Sequence, residues 1–179
     1  MSNDRKFQKL AGWCAIASMP LAIVLWTWLK PRNPNLVTMF ILFGIGCMLV
    51  GAIGAAIFAA VLPVLTDAYA QASGAGKEIQ EALYVAFSEA VIGVLWGTLG
   101  ALLGVVWWLG IGSFLKAERR TLGWVTIVLG AIVVASCIGI ITGLMGLANI
   151  AVPLYLLIGP IWALWLGIVL LRAPVAVEG

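Results

Sequence analysis

The chain has 179 residues, 64% hydrophobic and 9% charged, and a mean hydropathy of +1.15, too apolar and too poor in charge for a soluble domain of this size. Ten Lys/Arg against seven Asp/Glu leave a net charge of +3, spread in short clusters between long uncharged runs, which excludes the basic patch of a nucleic-acid-binding protein. There is no histidine, which removes the commonest ligand for haem, copper and zinc and the commonest general base.

An integral membrane protein is therefore expected, and each span needs about 20 apolar residues. The first span is read at 10–29. It follows the basic start Arg5, Lys6 and Lys9, is too long for a signal peptide and has no small-x-small cleavage site, so it stays attached. Lys30-Pro31-Arg32-Asn33-Pro34-Asn35 makes a turn, and the second span follows at 36–65, continuing as a mildly amphipathic tail to Gln71 before Gly74 and Gly76 break it. The third helix begins near Lys77 and runs to Leu115, with its span read at 86–115. From Ile79 to Leu115 it would be about 55 Å long, against a hydrocarbon core of about 30 Å. A helical hairpin projecting from one membrane face, between spans two and three, is predicted.

After the basic loop Lys116–Arg120, 51 residues pass without a charge up to Arg172, which suits two spans joined by a turn. The break is placed at 143–149, giving a fourth span at 122–144 and a fifth at 150–171, bent at Pro160. The expected fold class is an all-α integral membrane protein, a single five-span transmembrane helical bundle. With five spans the termini lie on opposite sides. Lys30, Arg32, Lys116, Arg119, Arg120 and Arg172 gather on one face against Arg5, Lys6, Lys9 and Lys77 on the other, which favours an outside N-terminus and a cytoplasmic C-terminus.

Trp26, Trp28, Trp107, Trp108 and Trp124 lie towards the basic face and read as interfacial anchors, while Trp96, Trp162 and Trp165 should sit deeper, in core packing or against a quinone, pigment or lipid. Cys14, Cys47 and Cys137 lie apart in separate apolar runs and read as small buried thiols, not as a redox or metal site. No cofactor and no metal is implied.

The stretch AFSEAVIGVLWGTLGALLG, Ala86 to Gly104, combines an acid with a small-residue face. Gly93, Gly97, Gly100 and Gly104 are spaced to share a narrow helix face on which another backbone can approach closely, either within this chain or in an oligomer or partner. Gly139, Gly143 and Gly146 form a weaker seam. Glu89 precedes Lys116 by 27 residues, about 40 Å of straight helix, so it lies at a headgroup-level mouth, not at mid-membrane. Its angle matches the glycine face, so it should point into the bundle. A structural carboxylate closing the tail or hairpin is the favoured reading, and a proton or cation site is the weaker alternative, since pumps pair such an acid with a second ionisable group at depth and the sequence offers none. The deep polar residues Ser18, Thr98, Thr126, Ser136 and Thr142 form no triad or metal shell, and Gly74-Ala75-Gly76-Lys77 lacks the spacing of a phosphate loop.

In LGVVWWLGIGSFLKAERRTLGWVTIVLGA, Leu103 to Ala131, a Trp-rich helix ends in Gly-x-Gly, a basic loop follows, and Leu-Gly-Trp opens the next span. With PVLTDAYAQASGAGKEIQEALYVAF before it and PIWALWLGIVLLR at the end, the chain resembles the bacterial multi-span proteins grouped as domain of unknown function 4386. The resemblance implies a bundle in the bacterial inner (cytoplasmic) membrane with no assigned reaction and no functional residues to carry over. The expected function is that of a non-enzymatic accessory or scaffold subunit, contacting membrane lipids or pigment and other membrane subunits or copies of itself. The alternative is a small ion or solute transporter using Glu89, and an enzyme is disfavoured by the missing acid–base and nucleophile pairs.

Overall fold

The computed structural model describes residues 20–172, all of whose regular structure is helical. Helix α1, Pro20–Leu29, is followed by α2, Pro34–Gln71. A continuous 44-residue rod comes next, made of α3 (Ala75–Ser88), a π-helical stretch (Glu89–Gly100) and α4 (Ala101–Glu118). Helices α5, Arg120–Thr142, and α6, Met145–Arg172, complete the order. Among the described residues four helices, α2, the rod, α5 and α6, are long and apolar enough to cross a membrane. The expected first span at 10–29 is described only from Pro20 onward, and Arg5, Lys6, Lys9, Cys14 and Ser18 lie outside the described residues.

Local chemistry sets the breaks. Asn33 is the N-cap of α2: its backbone is extended and its side-chain oxygen accepts from the Leu36 N–H at 3.1 Å, while Pro34 occupies the first helical position, where no N–H is needed. At the other end of α2, Gly74 takes a positive φ of 53°, open to glycine without a Cβ penalty, and the chain re-enters helix at Ala75. Arg119, in extended conformation, separates α4 from α5. Gly143 caps α5 in the left-handed conformation at φ 74°. It falls at the start of the break expected at 143–149.

The π-helical stretch was not expected. Its bonds reach five residues back: the Ala101 N–H donates to the Trp96 carbonyl as well as to Thr98, and the Thr98 hydroxyl donates to the Gly93 carbonyl at 3.0 Å. Twelve residues wound this way are an unusually long run for a geometry normally confined to single turns. They also turn the helix fewer degrees per residue than an α-helix does.

The hydrophobic core is lopsided. Leu25 and Leu29 of α1, Val37 and Ile41 of α2, Ile111 and Leu115 of α4, Leu122, Leu129 and Val133 of α5 and Trp162 and Leu166 of α6 pack together near the end of the bundle that carries Lys30 and Lys116. The distal part of α2 and all of α3 contribute little, and no residue of α3 is buried. Tight contacts of α4 with α5, and of α5 with α6, rest on glycine. A Cβ at Gly123 would collide with the backbone of Lys116, one at Gly112 would come within 3.1 Å of the Ile127 nitrogen, and one at Gly139 within 2.8 Å of the Ala148 nitrogen. These are the close backbone approaches by which helices associate in lipid.

Polar ties join the same elements. The Trp26 indole donates to the Thr38 hydroxyl at 3.0 Å, fastening α1 to α2, and Arg32 forms an ion pair with Glu118 across the α1–α2 turn and the end of α4. The Trp162 indole donates to the Thr126 hydroxyl at 2.7 Å, which in turn donates to the Leu122 carbonyl at 2.8 Å. Both members of this α5–α6 bond are buried, so neither group is left unsatisfied in an apolar medium.

Candidate functional site

Two places gather the chemistry this chain has. The first is the distal end of α2 with α3. Leu65, Thr66, Tyr69, Gln80, Glu81, Tyr84 and Val85 line a groove of about 420 Å³ between the two helices. The Tyr69 hydroxyl donates to a Glu81 carboxylate oxygen at 3.1 Å. That bond, and next the charge of the same carboxylate, push the Tyr69 phenol above its ordinary value, because ionising it would set two negative charges side by side. Lys77 lies over the Tyr69 ring, 5.3 Å from its centroid.

Glu89 sits where α3 passes into the π-helical stretch. The side chain is exposed and does not point into the bundle, contrary to expectation: a carboxylate oxygen lies over its own helix at Gly93, where a Cβ would come within 2.9 Å of it. The reason is the winding, since at five residues per hydrogen-bonded step the angular register counted from Gly104 no longer holds at position 89. Glu89 has no ion-pair partner among the described residues. The buried hydroxyl of its neighbour Ser88 has no hydrogen-bond partner among the described residues.

The same winding separates the four glycines expected to share one face. Gly97 faces Ile140 of α5, where a Cβ would come within 2.7 Å of the side chain. Gly100 faces Val50 of α2, Gly104 lies between Cys47 of α2 and Val133 of α5, and Gly93 meets only Glu89. Three of the four thus pack within this chain, but against two different helices. Of the second seam, Gly139 makes a close approach, Gly143 makes the turn and Gly146 is open. Gly44, Gly54, Gly110, Gly112, Gly123 and Gly130 make tight contacts that spacing along a single helix could not reveal.

The second place is an aromatic cleft between α2, α4 and α6, with Leu21 of α1 at its edge. Trp107 and Trp108, expected as interfacial anchors, are only 6% and 5% exposed and lie inside the bundle, which departs from an anchoring role. Their rings meet edge to face at 4.6 Å, and both meet Trp162, at 5.9 and 4.6 Å, while Trp108 also meets Tyr155 at 6.0 Å. Burial against the ring from α6 explains the departure, since the hydropathy of a tryptophan is the same at an interface and in a core. Trp26, Trp28 and Trp124 lie nearer the surface: Lys30 covers Trp26 at 4.5 Å, Lys116 covers Trp124 at 4.0 Å, and Trp124 is 45% exposed. Trp96, expected deep, is 36% exposed and stacks on Phe58 over Gly54.

The cleft encloses about 340 Å³ and is lined mainly by apolar residues, among them Gly44, Cys47, Met48, Tyr155, Pro160 and the three indoles. Gly44 is what lets α2 approach Trp107: a Cβ there would come within 2.5 Å of the indole Cδ1 and Nε1 atoms. Among the described residues the buried Trp107 Nε1 group has no hydrogen-bond partner, whereas the neighbouring Trp162 N–H has Thr126. Among the described residues, no group of three or more His, Cys, Asp or Glu side chains could hold a metal ion.

A family model described as a domain of unknown function, DUF4386, matches residues 10–173, and the chain belongs to that family. No curated protein and no solved structure matches it.

Proposed function

We propose, from membership in this family and from the surface the helices leave open, that the chain is a non-enzymatic multi-span membrane protein acting as an accessory or scaffold subunit. One observation carries the reading. Helix α3 has an exposed apolar face formed by Ile79 and Leu83, one turn apart, and none of its 14 residues is buried.

Helix α2 alone measures about 57 Å at 1.5 Å per residue, and a tilt of about 40° still leaves about 44 Å of depth, against about 30 Å of hydrocarbon. The distal part of α2 with α3 is therefore read as a hairpin projecting beyond the lipid, where an exposed apolar face needs a partner to cover it. The five-span count belongs to the same proposal, with 10–29 as the first span. So do a bacterial inner-membrane location and the orientation with the N-terminus outside and the C-terminus cytoplasmic, supported by the cluster of Lys30, Arg32, Lys116, Arg119, Arg120 and Arg172.

The transporter alternative needs a polar path from Glu89 into the bundle. The hydroxyls of Thr98, Thr126 and Thr142 instead donate to carbonyls of their own helices, which favours the scaffold reading. The test is purification from membranes in mild detergent after in-cell photocrosslinking from positions 79 and 83. A stoichiometric membrane-protein partner joined at both positions is expected. A crosslink-free monomer in native mass spectrometry would overturn the proposal.

A further inference from the structure

We propose that the corner where α4 meets α5 binds one anionic phospholipid, its phosphate held by Lys116 and Arg120 and its glycerol and acyl chain laid along α5. The proposal rests on the bundle crossing a membrane but not on the scaffold reading, which draws on the other end of the molecule. It starts from how charge is divided. Among the described residues Lys30, Arg32, Lys116, Arg119, Arg120 and Arg172 stand at one end with Glu118 as the one acid, a surplus of five positive charges. At the opposite end Asp67, Glu78, Glu81 and Glu89 outnumber Lys77. Glu118 is already paired with Arg32, so the other cations are left to anions at the level of the lipid headgroups.

One corner presents these charges in the order a phospholipid needs. Gly123 lets the first turn of α5 pack on the backbone of Lys116, where a Cβ would collide, so the two helix ends are held in contact. In that position the Lys116 ammonium lies 4.0 Å from the centroid of the Trp124 ring. Arg120, Trp124, Val128 and Ala131 follow at helical spacing on one face of α5, and all four are exposed. Along that face come a cation at headgroup level, an indole about 6 Å deeper, and bare apolar surface below it. Phosphate, glycerol ester and acyl chain follow in the same sequence. At the other such pair, Lys30 over Trp26, the indole is half-buried and its N–H is engaged with Thr38, so that corner is less open.

The apolar strip decides between a lipid and a free anion, since inorganic phosphate would meet the two cations and leave Trp124 and Val128 uncovered. Charge decides the headgroup. Lys116, Arg119 and Arg120 fall within one short stretch, and a choline headgroup would bring a further cation among them, whereas phosphatidylglycerol brings only its negative phosphate.

The test is native mass spectrometry of the full chain, delipidated in mild detergent and titrated with phosphatidylglycerol or phosphatidylcholine of identical acyl chains. Tighter binding of the first phosphatidylglycerol is expected. That preference should fall about fivefold in Lys116→Gln and in Arg120→Gln, the effect of about one surface cation each, and should be unchanged in Lys77→Gln, which removes the same charge from the opposite end. All three side chains are exposed, so the variants should fold, which circular dichroism checks. In nanodiscs, phosphatidylglycerol carrying a diazirine on its acyl chain should label the segment 120–131 of the wild type. Equal affinity for the two lipids, a preference unmoved in Lys116→Gln and Arg120→Gln, an equal loss in Lys77→Gln, label confined to other segments, or displacement of the bound lipid by inorganic phosphate would each overturn the proposal.

Discussion

Replacing Thr126 by Val tests the bond that joins α5 to α6. The two side chains have nearly the same shape, so the change removes the hydroxyl while filling its space. The Trp162 N–H, buried and 2.7 Å from that hydroxyl, loses its acceptor. In water-soluble proteins an orphaned buried donor costs about 1–3 kcal/mol. Within membranes, hydrogen bonds between helices average about 0.6 kcal/mol and reach about 1.7, because separated helices in lipid also find partners. Both members here are fully enclosed by apolar neighbours, so a loss of about 1–1.5 kcal/mol is expected, a five- to twelvefold change in the unfolding equilibrium. Thr126→Ser keeps the acceptor and should retain the coupling to Trp162, while losing about 1 kcal/mol from the missing buried methyl. The assay is dodecyl sulfate titration in mixed micelles, followed by circular dichroism, on Thr126→Val, Trp162→Phe and the double variant. A coupling energy of about 0.6–1.7 kcal/mol supports the reasoning, and additivity within about 0.3 kcal/mol would refute it.

Glycine substitutions should divide by what lies opposite. Gly123→Ala drives a methyl into the Lys116 backbone and should cost about 2–3 kcal/mol in the same titration, whereas Gly167→Ala, with open space beside it, should be neutral or stabilise by up to about 1 kcal/mol. Tyr69 should ionise late: its phenol is raised in the folded chain by Glu81, so the stabilisation is present below the ordinary tyrosine range and is lost as pH rises through the elevated value. Ultraviolet titration of Glu81→Gln should show the Tyr69 transition moving to lower pH, and an unmoved curve would show that the hydrogen bond does not hold in solution.

The breaks in this fold were legible because they rest on local chemistry. Asn33 with Pro34, Gly74, the stretch around Arg119 and Gly143 each act through their own backbone, and each marks a helix boundary in the structure. The glycine face and Glu89 were misjudged for one shared reason. Their placement assumed a constant α-helical turn through residues 89–100, and the π winding there has no signature in composition. Trp107 and Trp108 were misplaced because an indole suits an interface and a core equally well, and the choice was made by Trp162 and Tyr155, some 50 residues away in sequence. The cleft was invisible for the same reason, since its walls come from α1, α2, α4 and α6.

A core confined to one end makes α2 a lever. Its most buried segment, around Val37 and Ile41, acts as the fulcrum, and beyond it the chain continues to Gln71 held mainly by contacts with the neighbouring rod, such as Phe58 on Trp96 and Tyr69 on Glu81. A pivot of about 5° there sweeps the far tip, about 45 Å away at 1.5 Å per residue, through about 4 Å. The cleft opens close to the fulcrum, at Gly44 and Cys47, so prying it apart by a fraction of an ångström is magnified several-fold where Tyr69 meets Glu81.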